Sequence, residues 1–447
     1  MIDFAARFEQ VKRFNLLKFL AYSFLVSIFL LPGITFSGSL PEVRPEDFVV
    51  YGMLLTLLLM PSKTIAWNSG IQKYMLFLLL FTIWMMITQL GNGRLYHMSD
   101  YFEYYKMFKF GVVLLTFYLI YKQKIFSQTD ILRTIRVIFC LVFALNMLHY
   151  FNILSYNPIV MPFYANELQL SHFGVNSLGE ADVKRMLGVL GNPNNNSIMM
   201  GFFSIYFIAH STKKSPEYKQ NYILAGLAIL MLLMSGSKTG VLSLVVVFAV
   251  YWLLSRMSIK QLLAVLGIGT ASVVLINVFQ FTYISSLWTV DWSANESWTG
   301  RLKVWQDLVG MIQKSPWIGY GPNKEYFYIN ALYSENEYVL MTWRYGIVGL
   351  LSYLLWILIP FVSAFRQNGK RYAQSVILFS TMLLVSAITN NPLSEPRILV
   401  LYAMLCGLMF ANSKAEQELE TEPKLKSVPE RGLESEPEFS LKQESRL

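Results

Sequence analysis

The sequence predicts an all-α, polytopic integral membrane protein, and three observations carry that prediction. Of its 447 residues, 54% are hydrophobic and only 15% charged, with a mean hydropathy of +0.42. Soluble domains carry about 25% charged residues. About twelve apolar runs approach the roughly 20 residues that a helix needs to cross a bilayer. The basic residues gather in alternate connections, the pattern left when Lys and Arg stay on the cytoplasmic side.

The start, "MIDFAARFEQVKRFN", is charged and leads into a long apolar run. It shows no small-residue cleavage site, so it reads as a retained first helix. The apolar cores fall near 16–35, 47–61, 73–90, 106–121, 131–150, 196–212, 221–235, 238–256, 260–282, 342–365, 373–390 and 396–412. With the N-terminus in the cytoplasm, the inward connections hold Arg7, Lys12 and Arg13; Lys63 and Lys73; Lys122, Lys124, Arg133 and Arg136. Those that follow hold Lys213, Lys214 and Lys219; Arg256 and Lys260; Arg366, Lys370 and Arg371. The short outward turns carry single basic residues, Arg44, Arg94, Lys238 and Arg397. An even number of crossings returns the C-terminus to the cytoplasm. The formal net charge of +9 follows from these loops, so no nucleic-acid partner is invoked. Cys140 and Cys406 both lie inside apolar runs and offer neither a disulfide framework nor metal spacing.

Two outward connections are long, about 151–195 and about 283–341. Loops beyond about 15 residues are usually functional or disordered. These two hold tryptophans, tyrosines and glycines, and read as ordered lids on the outer face of a single transmembrane domain, 1–412. From Ser413 the composition changes to Glu, Lys, Pro and Ser. Such a segment cannot bury enough apolar surface to fold alone, so 413–447 reads as a disordered cytoplasmic tail. No internal repeat is visible.

The first long loop ends in "KRMLGVLGNPNNNSIMMG". A helix starting after Asn194–Asn196 would aim its free N–H groups at an anion, and Arg185 can clamp phosphate with two parallel bonds. The same residues also fit a capped helix with an interfacial arginine reaching the head groups. "MSGSKTG" is a very short outward turn. A cation retained there, Lys238, needs an anionic partner or a wet cavity. The second long loop opens on a run with helical spacing, 299–313, in which Leu302, Trp305, Leu308, Val309 and Ile312 share a face. Thr299 is its predicted N-cap and Arg301 lies in its first turn, as an amphipathic helix on the outer surface would have it.

The ordered set "TGRLKVW", "SPWIGYGP" and "ENEY…YGIVGLL" resembles the shared signature of the O-antigen ligase and Wzy-type polysaccharide polymerase superfamily. "VRPEDFVVYGMLL", with Arg44 and Asp47, resembles the start of that family's second helix. "LGNPNNNS" resembles its first-loop motif and "SGSKTG" its serine–basic turn, with Lys238 where the family commonly has Arg. The resemblance covers the chain except its tail. One departure matters: where the ligases carry a His-Asn pair, this chain has Glu335-Asn336.

The resemblance implies a GT-C-like membrane fold in the bacterial inner membrane, with both termini cytoplasmic and the site facing the periplasm. It implies a substrate too, a glycan on undecaprenyl pyrophosphate, transferred to an acceptor hydroxyl. In a polymerase the acceptor is another lipid-linked repeat unit; in a ligase it is the lipid A core. Membrane lipid and a chain-length regulator of the same pathway are the other expected partners. On this reading Arg185, Lys238, Arg301 and Arg344 neutralise the diphosphate, and no metal or other cofactor is expected. Glu335, with Glu337 second, is the candidate base. Asn194, Asn336 and Tyr338 complete the expected substrate contacts, and Tyr320, Trp305 and Trp317 offer further faces for sugar rings. A flippase for the same lipid-linked unit is the competing class. It would place its charges near the bilayer midplane, often with inverted repeats.

Overall fold

In a computed structural model of the chain, the described residues are 2–34, 43–60, 67–92, 98–165, 185–211, 217–255, 296–330, 334–367 and 369–421. Among them the protein is helical throughout, with only an isolated antiparallel bridge between Ile34 and Val43 outside that pattern. The helices run α1 Ile2–Leu30, α2 Pro45–Leu58, α3 Ser69–Gly91, α4 Met98–Lys122, α5 Gln128–Tyr150, α6 Tyr156–Tyr164 and α7 Pro193–Ala209. They continue as α8 Tyr218–Met234, α9 Lys238–Ser255, α10 Glu296–Lys314, α11 Lys324–Ile329, α12 Glu337–Phe365, α13 Arg371–Ser386 and α14 Pro396–Thr421.

Eleven of the predicted apolar runs fall on these helices; the run near 260–282 lies outside the described residues. Among the described residues four segments are long and apolar enough to cross a membrane: Arg13–Leu30 of α1, α3, α5 and α12. Three shorter apolar helices accompany them, α8, Lys238–Leu254 of α9 and Pro396–Asn412 of α14. The architecture is that of an all-α membrane protein.

Burial sorts the helices into an inner and an outer set. From Ile398 to Ala411 every residue of α14 is buried, and α7 and α13 are nearly as enclosed. A helix that is hydrophobic all round belongs in such a position. The inner helix α14 packs on α4 so closely that a Cβ on Gly407 would stand 2.4 Å from the Leu114 carbonyl oxygen. The outer helices bury one face only. Leu55 and Leu58 of α2, Leu79 and Leu80 of α3 and Leu351 of α12 are all more than half exposed. Apolar side chains left outward along several helices suit lipid rather than water.

The termini of the helices follow from local chemistry. Pro45 opens α2, with Glu46 and Asp47 in the first turn, where the free N–H groups favour negative charge. Ser127 and Asp130 bond reciprocally across the start of α5.

Both long loops carry helices in their described parts, α6 in the first and α10 and α11 in the second. Residues 166–184 and 256–295 lie outside the described set. The backbone of α14 continues past Ser413 to Thr421.

Candidate functional site

The family-like signature has a structural centre, a break in α12. Gly346 adopts φ 67°, ψ −170°, a conformation essentially restricted to glycine. The break frees the carbonyls of the preceding turn, and the loop after α10 takes them. The Tyr320 N–H donates to the Trp343 carbonyl at 2.9 Å and the Gly321 N–H to the Arg344 carbonyl at 2.7 Å. The Ile347 N–H donates back to the Pro316 carbonyl at 2.8 Å. Trp84 of α3 donates its indole N–H to the Tyr345 carbonyl at 3.0 Å. A Cβ on Gly346 would meet the Trp317 carbonyl oxygen at 2.0 Å. "SPWIGYG" and "WRYGIVG" are therefore two halves of one backbone interlock, and Tyr320 stacks on Trp343 with ring centroids 5.3 Å apart.

The amphipathic helix is present, but it starts at Glu296, so Thr299 is inside it rather than capping it and Arg301 sits in its second turn. Leu308 is fully buried, Trp305 and Ile312 partly so, and Leu302 and Val309 stay exposed. Arg301 donates from Nε to Glu335 Oε2, and the two side chains remain 27% and 35% exposed. The predicted cation and the predicted base are thus in contact, at a surface a substrate can reach.

The neighbours of Glu335 are occupied with structure. Asn336 caps α12, its side chain accepting from the Val339 N–H at 3.0 Å. Glu337 is fully buried. Its carboxylate accepts from the Tyr353 hydroxyl at 2.9 Å, the Leu393 N–H at 3.1 Å and the Ser394 hydroxyl at 3.1 Å. Tyr338 donates to the Leu384 carbonyl at 2.6 Å. Of the aromatic residues expected to face sugar, Trp317 is 65% exposed.

A second group forms around the start of α7. Helix α7 begins at Pro193, earlier than the sequence suggested, because Asn192 caps it by accepting from the Asn194 and Asn195 N–H groups. Those N–H groups are therefore already bonded within the cap. Arg185 donates to the Ser235 carbonyl at 3.2 Å and to Asn194 Oδ1 at 2.9 Å. Lys238, half-buried, opens α9 three residues after that serine. Asn195 reaches Glu395 at 3.4 Å, and Arg44 pairs with the same carboxylate at 2.8 Å. Burial alone would raise the Glu395 carboxyl, but Arg44 and Arg397 hold it below its ordinary value. The hydroxyls of Thr239 and Thr389 are bonded to each other beside it.

A third group was not foreseen. Along α4, Asp100, Glu103, Lys106 and Lys109 recur every third residue within an aromatic helix, and all four are buried. Lys109 pairs with Asp47 at 2.6 Å and with Glu46 at 3.3 Å; Asp47 also accepts from the Tyr105 hydroxyl at 2.9 Å. Glu103 receives three cations: Lys106 at 2.7 Å, Lys324 at 3.0 Å and Arg344 at 3.5 Å. Burial would raise the Glu103 carboxyl, but the three cations hold it well below the carboxylate range. The signal was readable: ionisable residues inside an apolar helix are expensive and mark function by default.

These contacts join the starts of α2, α7 and α14, the first half of α4 and the second long loop, so the charged chemistry collects at one end of the bundle. Arg301 pairs with Glu335, Arg185 with Asn194, and Arg344 with Glu103, so these expected cations have different partners. Among the described residues no cluster of three His, Cys, Asp or Glu side chains could hold a metal ion.

Residues 223–354 match the family model described as O-antigen ligase. The matched stretch runs from α8 into α12 and includes Lys238, Arg301, Glu335 and the Gly346 interlock. No curated protein matches the chain.

Proposed function

From the match of residues 223–354 to the family model described as O-antigen ligase, we propose that this chain belongs to the O-antigen ligase and Wzy-type polymerase superfamily and is a polysaccharide polymerase of the bacterial inner membrane. It transfers a glycan from undecaprenyl pyrophosphate to a lipid-linked repeat unit. The charged end of the bundle faces the periplasm and both termini face the cytoplasm. The observation that carries the reading is the contact between Arg301 and Glu335, a cation and a carboxylate at the mouth of the second loop. The carboxylate stands where the ligases have histidine.

The contact suggests how the step is coupled. Arg301 occupies Glu335 until a diphosphate arrives. When the guanidinium turns to the diphosphate, the Glu335 carboxylate is released to meet the acceptor hydroxyl. The acceptor hydroxyl gives its proton to Glu335 and its oxygen forms the new glycosidic bond. The old bond breaks, and its electron pair stays on the diphosphate oxygen. Charge grows there as the bond stretches, and preorganised cations stabilise it. We assign Arg185 and Lys238, beside the cap of α7, to the same headgroup.

The ligase reading keeps support from the description of the matched family. The glycan profile of a host lacking the protein separates the readings. Loss of long chains, with single repeat units still formed, supports a polymerase. Long lipid-linked chains that never reach the lipid A core would make it a ligase. Repeat units trapped on the cytoplasmic leaflet would make it a transporter and remove the roles given to Arg301 and Glu335.

A further inference from the structure

A polymerase of this kind has a requirement that a ligase does not: both reactants carry a lipid diphosphate. The pair Arg301–Glu335 and the Arg185 group account for one. The Glu103 group has the chemistry for another. Its three cations share a single carboxylate, with Lys106 at 2.7 Å, Lys324 at 3.0 Å and Arg344 at 3.5 Å. Asp100, one turn earlier, accepts from the Lys324 backbone N–H at 3.2 Å and from Gln89 at 3.4 Å. Counting Asp100 as well, three cations still face only two carboxylates. Glu337 already receives three donors.

Arg344 is 95% buried by its 5% exposure, and its Nε–H has no hydrogen-bond partner among the described residues. Its guanidinium lies 5.7 Å from the centroid of the Phe327 ring. A buried guanidinium N–H left unbonded is costly, more so in the low dielectric beside a bilayer. An incoming anion would satisfy it. Lys324 is 24% exposed and so marks the open side. Glu103 and Lys106 also line a cavity between α3, α4 and α12, whose remaining walls include Phe81, Met85, Met107, Met341 and Trp356.

We propose that Lys106, Lys324 and Arg344 form a second anion site, which takes the diphosphate of the acceptor lipid. This rests on the polymerase reading above. In the empty protein Glu103 holds the three cations in place; on binding, the diphosphate shares them.

The test counts bound lipid. The full chain is placed in nanodiscs of zwitterionic lipid, titrated with undecaprenyl diphosphate and examined by native mass spectrometry. The wild-type protein should bind two molecules. Lys324→Ala should weaken one binding event about tenfold or more, equivalent to 1.4 kcal/mol per factor of ten, and leave the other unchanged. Arg185→Ala should weaken the other. Lys106→Gln repeats the first test at a second position, and melting curves check that each variant is folded. A wild-type count of one, or a count of two that neither Lys324→Ala nor Lys106→Gln alters, overturns the second site and leaves the polymerase reading standing. A count of zero removes that reading as well. Competition by inorganic diphosphate as effective as that by the lipid would assign the site to a soluble anion and overturn the acceptor role.

Discussion

Glu335 and Glu337 stand two residues apart and live in different worlds. Glu335 lies just before the cap of α12, one-third exposed, with Arg301 of the surface helix as its partner. Glu337 lies just inside the helix with no exposure, and three donors from α12 and the 392–394 turn close around it. A carboxylate that is to take a proton from a substrate must be reachable, whereas one that anchors a helix must not be. The cap residue Asn336 turns the chain between the two environments. Charge alone does not distinguish the two carboxylates; their partners do.

The contrast can be broken by substitution, most strongly at the open carboxylate. Glu335→Gln should slow polymer formation about 10²–10⁴-fold, the usual worth of a positioned base, with protein abundance unchanged. Wild-type chain formation by this variant would end its role. Arg301→Ala should cost about 100-fold or more in rate, as removal of one transition-state donor does. Normal product from membrane-inserted Arg301→Ala protein would sink the coupling between the two residues. Glu337→Ala should behave in the opposite way. It orphans three buried donors, which should cost about 3 kcal/mol of stability and lower the melting temperature, while the rate per folded molecule holds. An unchanged melting temperature would show that the sealed carboxylate anchors nothing.

Glu395 offers a gentler probe, since it is paired like Glu335 and more enclosed. Arg44 and Arg397 depress its carboxyl against the opposing effect of burial. A depressed acid stabilises the folded state fully above its unfolded value, about pH 4.3. That stabilisation is lost as pH falls through the lower folded value. Melting temperature should drop on acidification below about pH 4.3, and Arg44→Ala should flatten the drop. A steeper drop in Arg44→Ala would refute the pairing. The smallest effect is expected at the far end of the chain. Truncation after Thr421 should leave chain length and yield within about twofold, because the segment removed is too polar to build a core. Loss of product would give the tail a role.

Much of the fold was legible because lipid imposes a simple rule on sequence. Among the described residues each run of apolar residues forms a helix, which satisfies its own backbone, and the run at 73–90, for example, lies within α3. The amphipathic helix at the second loop was also legible from its spacing, though its start was misplaced because Thr299 looked like a cap. Arg301, expected in a first turn, lies in the second, and Glu335, singled out for standing in place of histidine, is its partner. Their contact was not legible, since residues 34 positions apart reveal no pairing by spacing. The α4 stripe was missed for another reason. Lys106 and Lys109 were absorbed into an apolar average, and Lys324 and Arg344 meet Glu103 only through folding. The glycines of "SPWIGYGP" read as turn residues, and nothing in the sequence tells that Gly321 bonds to the carbonyl of Arg344.

The interlock at Gly346 also sets a rule for how this region can be exchanged. The segment 316–321 has its bonding partners at 343–347, on the far side of the loop that holds Glu335. Neither half satisfies its backbone without the other. A chimera cut inside the loop, between Pro322 and Trp343, would pair one parent's strap with the other's helix break. The unit that can pass intact between related enzymes is the whole cassette from Ser315 to Ile347, so the acid at 335 travels with the backbone that frames it.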